Sequence, residues 1–267
     1  MSGALLLWRS MRKRVELGAA FAVLLALATA ALLATWIAGP PPATADAPVF
    51  ALLVHGARSL VILIALSASV SLAAGVVLGA AAGLAGGAID SVLARAVELI
   101  GAFPTVVVVT LVRAFDPAPN VLLTGLAVAI ARLPDVARLV RYEVIRATSE
   151  EHALAATALG TSPLRIAIRH VGPQLAAPLA HCLAAGASAV VTIDTLIGFL
   201  GIGGAASTPS WGATIAAGLS SGRINSVSAM IGACLATAAA AQILASHVGD
   251  AFDPHAERAT PCARRPR

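Results

Sequence analysis

The sequence predicts an all-α membrane protein with six transmembrane helices, and three observations lead to this prediction. Of the 267 residues, 58% are hydrophobic and 12% are charged, whereas soluble domains usually have about 25% charged residues. The mean hydropathy is +0.89. Apolar runs long enough for a helix to cross the hydrocarbon core, about 20 residues, recur along the chain. The excess apolar surface must face membrane lipid, which is therefore an expected partner.

Six apolar runs, separated by polar or Pro/Gly breaks, define the predicted spans. They cover residues 15–38, 57–84, 91–114, 119–142, 174–199 and 224–249. The remaining segments are an N-terminus at 1–14, an external linker at 39–54 and a tail at 251–267, so the transmembrane domain proper is 55–250. The basic residues before the first run are also typical of a signal peptide, but its apolar region would exceed the usual limit of about 15 residues. We therefore expect a retained first helix.

Positive charge predicts the topology. Most arginines lie in residues 9–14, 132–169 and 258–267. Six spans place these three segments on one side of the membrane, and the positive-inside rule makes that side cytoplasmic. Both termini are then cytoplasmic. Because the arginines flank apolar runs, the net charge of +5 is assigned to membrane orientation, and no nucleic-acid partner is expected.

Motifs for metals and nucleotides are missing from the sequence. Cys182 and Cys234 lie inside apolar runs, Cys262 lies in the tail, and no CxxC or Cys/His metal spacing occurs. No G-x-x-x-x-G-K-[ST] phosphate loop occurs either. We therefore expect that the chain is not an enzyme and binds no metal or cofactor of its own.

Glycines recur every fourth residue in the second span, at Gly75, Gly79, Gly83 and Gly87. This spacing places them on one face of a helix, where the lack of a side chain lets another backbone approach closely. The repeat therefore predicts a helix that is packed inside a bundle.

Two features near the outer end of the fifth span are candidate functional elements. Asp194 is the one acid deep in this run, and an intramembrane carboxylate is a candidate functional group because it is costly in lipid. A position at the outer water interface is the alternative. The glycine-rich stretch between Phe199 and Trp211 is compatible with a gate-like re-entrant element or with a plain loop, with the tryptophan at the membrane interface.

The cytoplasmic segment 148–173 begins with a helix-start pattern. Thr148 and Glu151 have the spacing of a capping box, which predicts a helix that begins at Thr148. Glu150 adds a second carboxylate at the positive end of that helix. Residues 153–159 are strongly helix-forming, so a short helix is predicted here.

A second short helix is predicted immediately after the first. Gly160 supplies a left-handed stop, and Ser162 followed by proline is a new helix start. Gly172 and Pro173 end this helix before the fifth span. Two short helices with an elbow at 160–162 are well shaped to lie in a groove of a soluble partner, and a structured loop that only links two spans is the alternative.

This segment resembles the EAA loop of binding-protein-dependent ABC importer permeases. Ala155, Ala156, Gly160 and Pro173 match that pattern in position, whereas Leu154 replaces its glutamate and Gly172 replaces the leucine before the proline. Because Leu154 has no charge, we expect the contact with the partner to depend on shape and apolar packing and not on a charge pair.

The resemblance extends over residues 55–255 and is to the second permease subunit of the dipeptide/oligopeptide/nickel group. The matching segments are HGARSL at 55–60, GG at 86–87 with Asp90, AFP at 102–104, ARLVR at 137–141 with Glu143, FLGIG at 199–203, TPSWG at 208–212, and GD and DP at 249–250 and 253–254. The Gly-Thr-Asp…Gly-Arg-Asp segment typical of this group is missing from 43–54, so the outward face is expected to be trimmed.

The resemblance implies a type I ABC importer permease fold in a bacterial inner membrane. The chain would form half of a pathway for short peptides, or for a similar solute such as a nickel chelate. Its partners would be a second homologous permease subunit, an external solute-binding protein, and cytoplasmic ATPase subunits that carry ATP and Mg. Coupling to those ATPases would involve Glu150, Glu151, His152, Ala155, Ala156, Leu159, Gly160, Thr161 and Ser162.

Two other classes of protein are alternatives. A proton-coupled secondary transporter would have inverted sequence halves and several intramembrane acids, but Asp194 is the one such acid seen. An intramembrane serine hydrolase would use Ser188 and His247, whose sequence spacing gives no evidence of hydrogen-bond reach.

Overall fold

The chain is all-helical wherever the computed structural model describes it, at residues 2–42, 47–115, 121–151, 159, 161, 165, 171–202 and 210–251, with side chains described within 15–249. The helices of these ranges are α1 (Ser2–Leu32), α2 (Ala34–Ala38), α3 (Val49–Ala85), α4 (Gly87–Gly101), α5 (Thr105–Ala114), α6 (Val121–Thr148), α7 (Gly172–Phe199), α8 (Trp211–Ser220) and α9 (Ile224–Ala251). The all-α prediction is confirmed for this part of the chain.

Four helices in the described ranges are long and apolar enough to cross a membrane. They are the segments Val15–Leu32, Val49–Ala85, Gly172–Phe199 and Ile224–Gly249, and a fifth span results if the bent pair α4 and α5 is counted as one. Helix α6 is outside this set because Arg132, Asp135 and Arg138 interrupt its apolar residues. The chain is thus a multi-pass membrane protein with four or five spans by length and composition.

The first predicted span, 15–38, is part of a longer helical segment. Helix α1 already includes the basic residues 9–14, and a break at Leu33 separates it from α2. Gly39 ends α2 with a φ of 73°, a left-handed conformation that glycine adopts without strain. The imidazole Nε2 of His55 lies 3.1 Å from the carbonyl oxygen of Gly39, which ties this end to α3.

The third predicted span, 91–114, is a broken helix. Helices α4 and α5 meet at an angle of 73° around residues 102–104. Pro104 has no amide hydrogen to continue the ladder of α4 and disfavours helical geometry in the residue before it. It then serves as the N-cap residue of α5.

Helices α3 and α6 approach each other closely along the glycine face. A Cβ on Gly75 would lie 2.7 Å from Val136 Cβ, one on Gly79 would lie 2.5 Å from the carbonyl oxygen of Ala137, and one on Gly83 would lie 2.8 Å from Val144 Cγ1. These distances are shorter than real carbon contacts, so only glycine permits this separation of the backbones.

Gly87 does not continue that face, and the four-residue repeat predicted from the sequence is wrong at this position. Helix α3 ends at Ala85, and both Gly86 and Gly87 have positive φ values, 62° and 56°. This pair forms the turn that separates α3 from α4. Gly87 is therefore a hinge residue between two helices.

The largest core cluster joins five helices around α3. It contains the fully or nearly fully buried side chains of Leu60, Val109, Val128, Val190, Val191, Trp211 and Met230. A second cluster between α6 and the start of α7 contains Val140, Val144 and Val171. Buried apolar packing thus extends from the centre of the bundle to the ends of α6 and α7 that border the 148–173 segment.

Candidate functional site

Helix α6 runs two turns beyond the predicted end of the fourth span, and this changes the assignment of Thr148. Its hydroxyl lies 2.8 Å from the carbonyl oxygen of Val144 and 3.1 Å from that of Ile145, both in α6. Thr148 therefore terminates α6, and the prediction that it caps a new helix is wrong. Ser149 bonds backwards in the same way, from its hydroxyl to the carbonyl oxygen of Arg146 at 2.7 Å.

The predicted coupling residues lie only partly in the described part of the chain. Glu150 lies in the bend after α6, and the next residue, Glu151, has helical geometry. Leu159 is 87% exposed, and Thr161 is half-buried. The others, His152, Ala155, Ala156, Gly160 and Ser162, lie outside the described residues.

An ion pair joins α4 to the end of α6 that leads into this loop. Arg141 donates from Nε to Oδ1 of Asp90 at 2.5 Å and from Nη2 to Oδ2 at 2.7 Å. Such two-point contacts between a guanidinium and a carboxylate are the strong, geometrically specific form of salt bridge. The pair holds the first turn of α4 against α6, two turns before Thr148.

Asp194 lies half-buried in α7, among groups of two other helices. The positive charge that acts on it comes from Arg113, near the end of α5. The next residue, Thr195, has its hydroxyl 3.2 Å from Cys234 Sγ of α9. Asp194 thus lies next to a contact between α7 and α9, and the electrostatic influence of Arg113 was not identified from the sequence because the two residues are 81 positions apart.

Trp211 is buried among other helices, with 4% of its surface exposed. Its position at the membrane interface stays a prediction. Its indole Nε1 donates to the carbonyl oxygen of Leu53 in α3 at 3.0 Å. Gly56, one turn further along α3, is in direct contact with the ring. Trp211 therefore anchors the start of α8 to α3, whereas Phe199 is partly exposed at the end of α7.

Helix α8 packs against the end of α7 through glycines. Gly212 contacts the backbone of Thr195, and a Cβ on Gly198 would lie 2.5 Å from Ser210 Oγ. The residues between α7 and α8, at 203–209, lie outside the described ranges, so the structure does not test the gate-like or plain-loop alternatives there.

A cavity with a mainly apolar lining lies between α6, α7 and α9, and no sequence prediction identified it. Its volume is about 570 Å³, and its lining includes Arg132 and Asp135 of α6, His181 and Cys182 of α7, and Gly249 of α9. Charged residues that interrupt an apolar run are the sequence signal that marks such a place. The sequence analysis used Arg132 only as part of the positive charge that predicts the topology.

The hydrolase alternative gains no support from the geometry of Ser188 and His247. The Ser188 hydroxyl lies 2.9 Å from the carbonyl oxygen of Ala185 and 3.2 Å from Oε1 of Gln242. The Nδ1 of His247 lies 2.9 Å from the carbonyl oxygen of Ile243 in its own helix. These contacts are those of packed polar side chains in α7 and α9. The described ranges also contain no cluster of three His, Cys, Asp or Glu residues with the spacing of a metal site.

Comparison with protein families gives one match that covers most of the chain. Residues 75–260 match the family described as "Binding-protein-dependent transport system inner membrane component". The matched region includes the C-terminal part of α3, from Gly75 onward, all of α4 to α9, and the loop between α6 and α7.

Curated relatives agree with this match. The chain is 32% identical to the dipeptide transport system permease protein DppC of Alkalihalophilus pseudofirmus, over 61% of this chain and 54% of that protein. It is 32% identical to the di/tripeptide transport system permease protein DppC of Pseudomonas aeruginosa over the same shares, and 30% identical to the oligopeptide transport system permease protein OppC of Escherichia coli, over 51% and 45%. The chain spans about half the length of these relatives. They confirm the resemblance inferred from the sequence.

A solved structure has a similar fold. A chain from the inward-facing MetNI methionine ABC transporter superposes with a TM-score of 0.58, over 75% of this chain and 96% of that one, at 17% sequence identity. At this identity the likeness shows a shared fold.

Proposed function

This chain belongs to the family of binding-protein-dependent transport system inner-membrane components, and on that premise we propose that it is a permease subunit of an ATP-driven importer. It forms half of a translocation pathway for short peptides, or for a similar small solute such as a nickel chelate. The names of the relatives, which are dipeptide, di/tripeptide and oligopeptide permeases, support the peptide assignment.

Six spans cross the membrane in this proposal: α1, α3, the broken pair α4–α5, α6, α7 and α9. Helix α6 is included because its charged residues Arg132, Asp135 and Arg141 make contacts within the protein, and such contacts are how intramembrane charges are tolerated. With six spans, both termini and the 148–173 loop lie on the arginine-rich, cytoplasmic side of a bacterial inner membrane.

The loop between α6 and α7 docks on the ATPase. Two structural features support this role. The buried packing around Val140, Val144 and Val171 makes the bases of α6 and α7 a single unit, and the Asp90–Arg141 pair ties α4 to the same unit. A displacement of the loop by the ATPase would therefore move three helices together, as rigid bodies that switch between inward and outward access.

The other components of the importer lie on separate chains. A second, homologous permease subunit completes the pathway, and ATP with Mg is bound by the cytoplasmic ATPase subunits, because the present chain lacks a phosphate loop. An external binding protein delivers the solute to the outer side, where the linker 39–54 is short.

The family match over residues 75–260 carries this proposal, and deletion of residues 151–160 tests it. We expect this variant to insert in the membrane and retain the partner permease but to lose the ATPase subunits on affinity purification. A matched deletion of residues 43–46, on the opposite side of the membrane, should retain them. Co-purification of the ATPase with the 151–160 deletion would contradict the docking role.

A further inference from the structure

Arg132 is held inside the helical bundle with few partners. It is the twelfth residue of the 28-residue helix α6, and 16% of its side chain is exposed. Its guanidinium lies against Gly186 of α7, where a Cβ would be 2.8 Å from Nη2. The absence of a side chain at position 186 thus provides the space that the guanidinium occupies between α6 and α7.

The charge of Arg132 is only partly neutralised. Its Nη2 lies 3.3 Å from Oδ2 of Asp135, and Nη2 of Arg138 lies 3.2 Å from Oδ1 of the same carboxylate. Two guanidinium groups share one carboxylate, so the cluster carries a net positive charge. A guanidinium has five N–H donors, and the contact with Asp135 uses only one nitrogen of Arg132.

The cavity is also lined by a second polar group, His181 of α7. The Nδ1 of His181 lies 2.7 Å from the carbonyl oxygen of Ala245. A carbonyl can only accept, so Nδ1 carries the hydrogen, and in the neutral ring Nε2 is an acceptor. His181 is exposed on the cavity side of α7. The remaining lining is mainly apolar, from residues such as Leu139, Pro178 and Ala185.

This arrangement fits a small ligand with a carboxylate at one end and a hydrogen-bond donor at the other. A volume of about 570 Å³ lies within the range of small-molecule sites, which are mostly apolar with a few polar groups that fix orientation. Arginine binds carboxylates at two points, and the Nε2 acceptor suits an ammonium or amide hydrogen. A short peptide with free termini has both groups.

We propose that the cavity between α6, α7 and α9 is a binding site for the transported solute, in which Arg132 binds the carboxylate of a short peptide and His181 contacts its amino end. This inference rests on the proposed function, since it names where in this subunit the imported solute lies. It assigns Arg132 and His181 as binding residues, and Gly186 as the residue that makes room for the guanidinium.

Two cysteines provide a test in the intact importer. Cys182 lines the cavity, and Cys234 is half-buried like it but lies elsewhere, beside Thr195. The complex of both permeases and the ATPases, in nanodiscs, is treated with N-ethylmaleimide, and peptide mass spectrometry gives the rate of modification at each cysteine. Trialanine should slow the modification of Cys182 several-fold and leave Cys234 unchanged. Trialanine amide, which lacks the carboxylate, should give no protection.

Variants of Arg132 separate binding from a structural role. Arg132→Gln should raise the trialanine concentration that gives half-maximal protection of Cys182 by about tenfold or more, which is the range for the loss of a hydrogen bond to a charged group. Arg132→Lys should raise this concentration less. Arg146→Gln is the matched control, because it removes an arginine of the same helix that pairs with Glu143 and lies outside the cavity lining, and it should retain protection. Assembly with the partner subunits is checked for each variant.

The outcomes distinguish this inference from the proposed function. In proteoliposomes with the binding protein, failure to accumulate any alanine peptide of two to five residues would contradict the peptide function, and the cavity assignment with it. If trialanine accumulates, three results would overturn the cavity assignment alone. They are an unchanged rate of Cys182 modification with trialanine, equal protection of Cys182 by trialanine amide, or undiminished protection of Cys182 in the Arg132→Gln variant. An unreactive Cys182 with and without trialanine would also overturn it, because a cavity that is open to the solute would leave the thiol that lines it accessible.

Discussion

Arg141 of α6 and Asp90 of α4, 51 residues apart in the sequence, form a two-point ion pair with distances of 2.5 and 2.7 Å. Asp90 is the acidic residue in the first turn of α4, where a carboxylate also interacts favourably with the helix dipole. Gly86 and Gly87 separate α4 from α3, and the ion pair holds α4 against α6, the helix that packs on the glycine face of α3. It therefore links α4 to the helix that leads into the 148–173 loop.

Asp90→Asn should weaken the coupling between ATP hydrolysis and transport. The variant loses the charge that holds α4 against α6, so loop movement should reach α4 less efficiently. We expect fewer solute molecules accumulated per ATP hydrolysed, measured in proteoliposomes. A double variant that exchanges the two charges, Asp90→Arg with Arg141→Asp, should restore part of the lost ratio of transported solute to hydrolysed ATP.

Glu143→Gln is the matched control for Asp90→Asn. Glu143 pairs with Arg146 at 2.8 Å, but both lie in α6, so this pair joins no second helix. It should leave the transport-to-ATP ratio unchanged. An equal effect of both substitutions would show that the ratio reports general charge loss and not the link between helices.

Gly79→Ala should destabilise the subunit through the α3–α6 contact. The added Cβ would lie 2.5 Å from a backbone carbonyl, which no rotamer change can relieve, and overpacking of this kind costs about 1–3 kcal/mol. The midpoint of thermal aggregation in detergent should fall. Gly232→Ala in α9 is the control, because nothing lies within 4 Å of its added Cβ; an equal fall in both would contradict the close-packing account.

Trp211→Phe should lower the same midpoint. Phenylalanine fills most of the ring volume but cannot donate to Leu53, which leaves a carbonyl without its partner at a cost of about 1 kcal/mol. Trp36→Phe should have no measurable effect, since Trp36 is 88% exposed. If Trp211→Phe and Trp36→Phe change the midpoint of thermal aggregation equally, the indole hydrogen bond does not anchor α8.

Helices were predicted well from the sequence where proline or glycine residues mark their ends. The fifth span was predicted at 174–199 and α7 is Gly172–Phe199, because proline marks its start and a glycine-rich stretch its end. The break in the third span was missed although Pro104 was visible, since apolar content continues on both sides of it. Gly87 was placed on the α3 face because spacing alone does not reveal where a helix ends.

The candidate sites were harder to predict because their residues come from different helices. Arg132 and His181 are 49 positions apart, and Asp194 and Arg113 are 81 apart. Their proximity depends on how α5, α6, α7 and α9 pack. Single residues were nevertheless informative: Asp194 was identified from its position in an apolar run, and Arg132 carried the same signal.

Asp194→Asn should reduce uptake, and the effect should depend on Arg113. Removal of the carboxylate takes away a negative charge that interacts electrostatically with Arg113, and an uncompensated charge in the bundle is costly. In a double-mutant cycle with Arg113→Gln, the loss in the double variant should be smaller than the sum of the two single losses. Additive effects, or wild-type uptake in Asp194→Asn, would place Asp194 at the outer water interface instead.

The energy source of transport tests the central claim most directly. Radiolabelled trialanine accumulation is measured in proteoliposomes that contain this chain, its partner permease, the binding protein and the ATPase subunits, either active or inactivated in their phosphate loops. The account predicts accumulation that requires internal ATP, disappears with the inactive ATPase and is unchanged when a protonophore collapses the proton gradient. Accumulation that persists without ATP hydrolysis and stops with the protonophore would contradict it and identify a proton-coupled transporter.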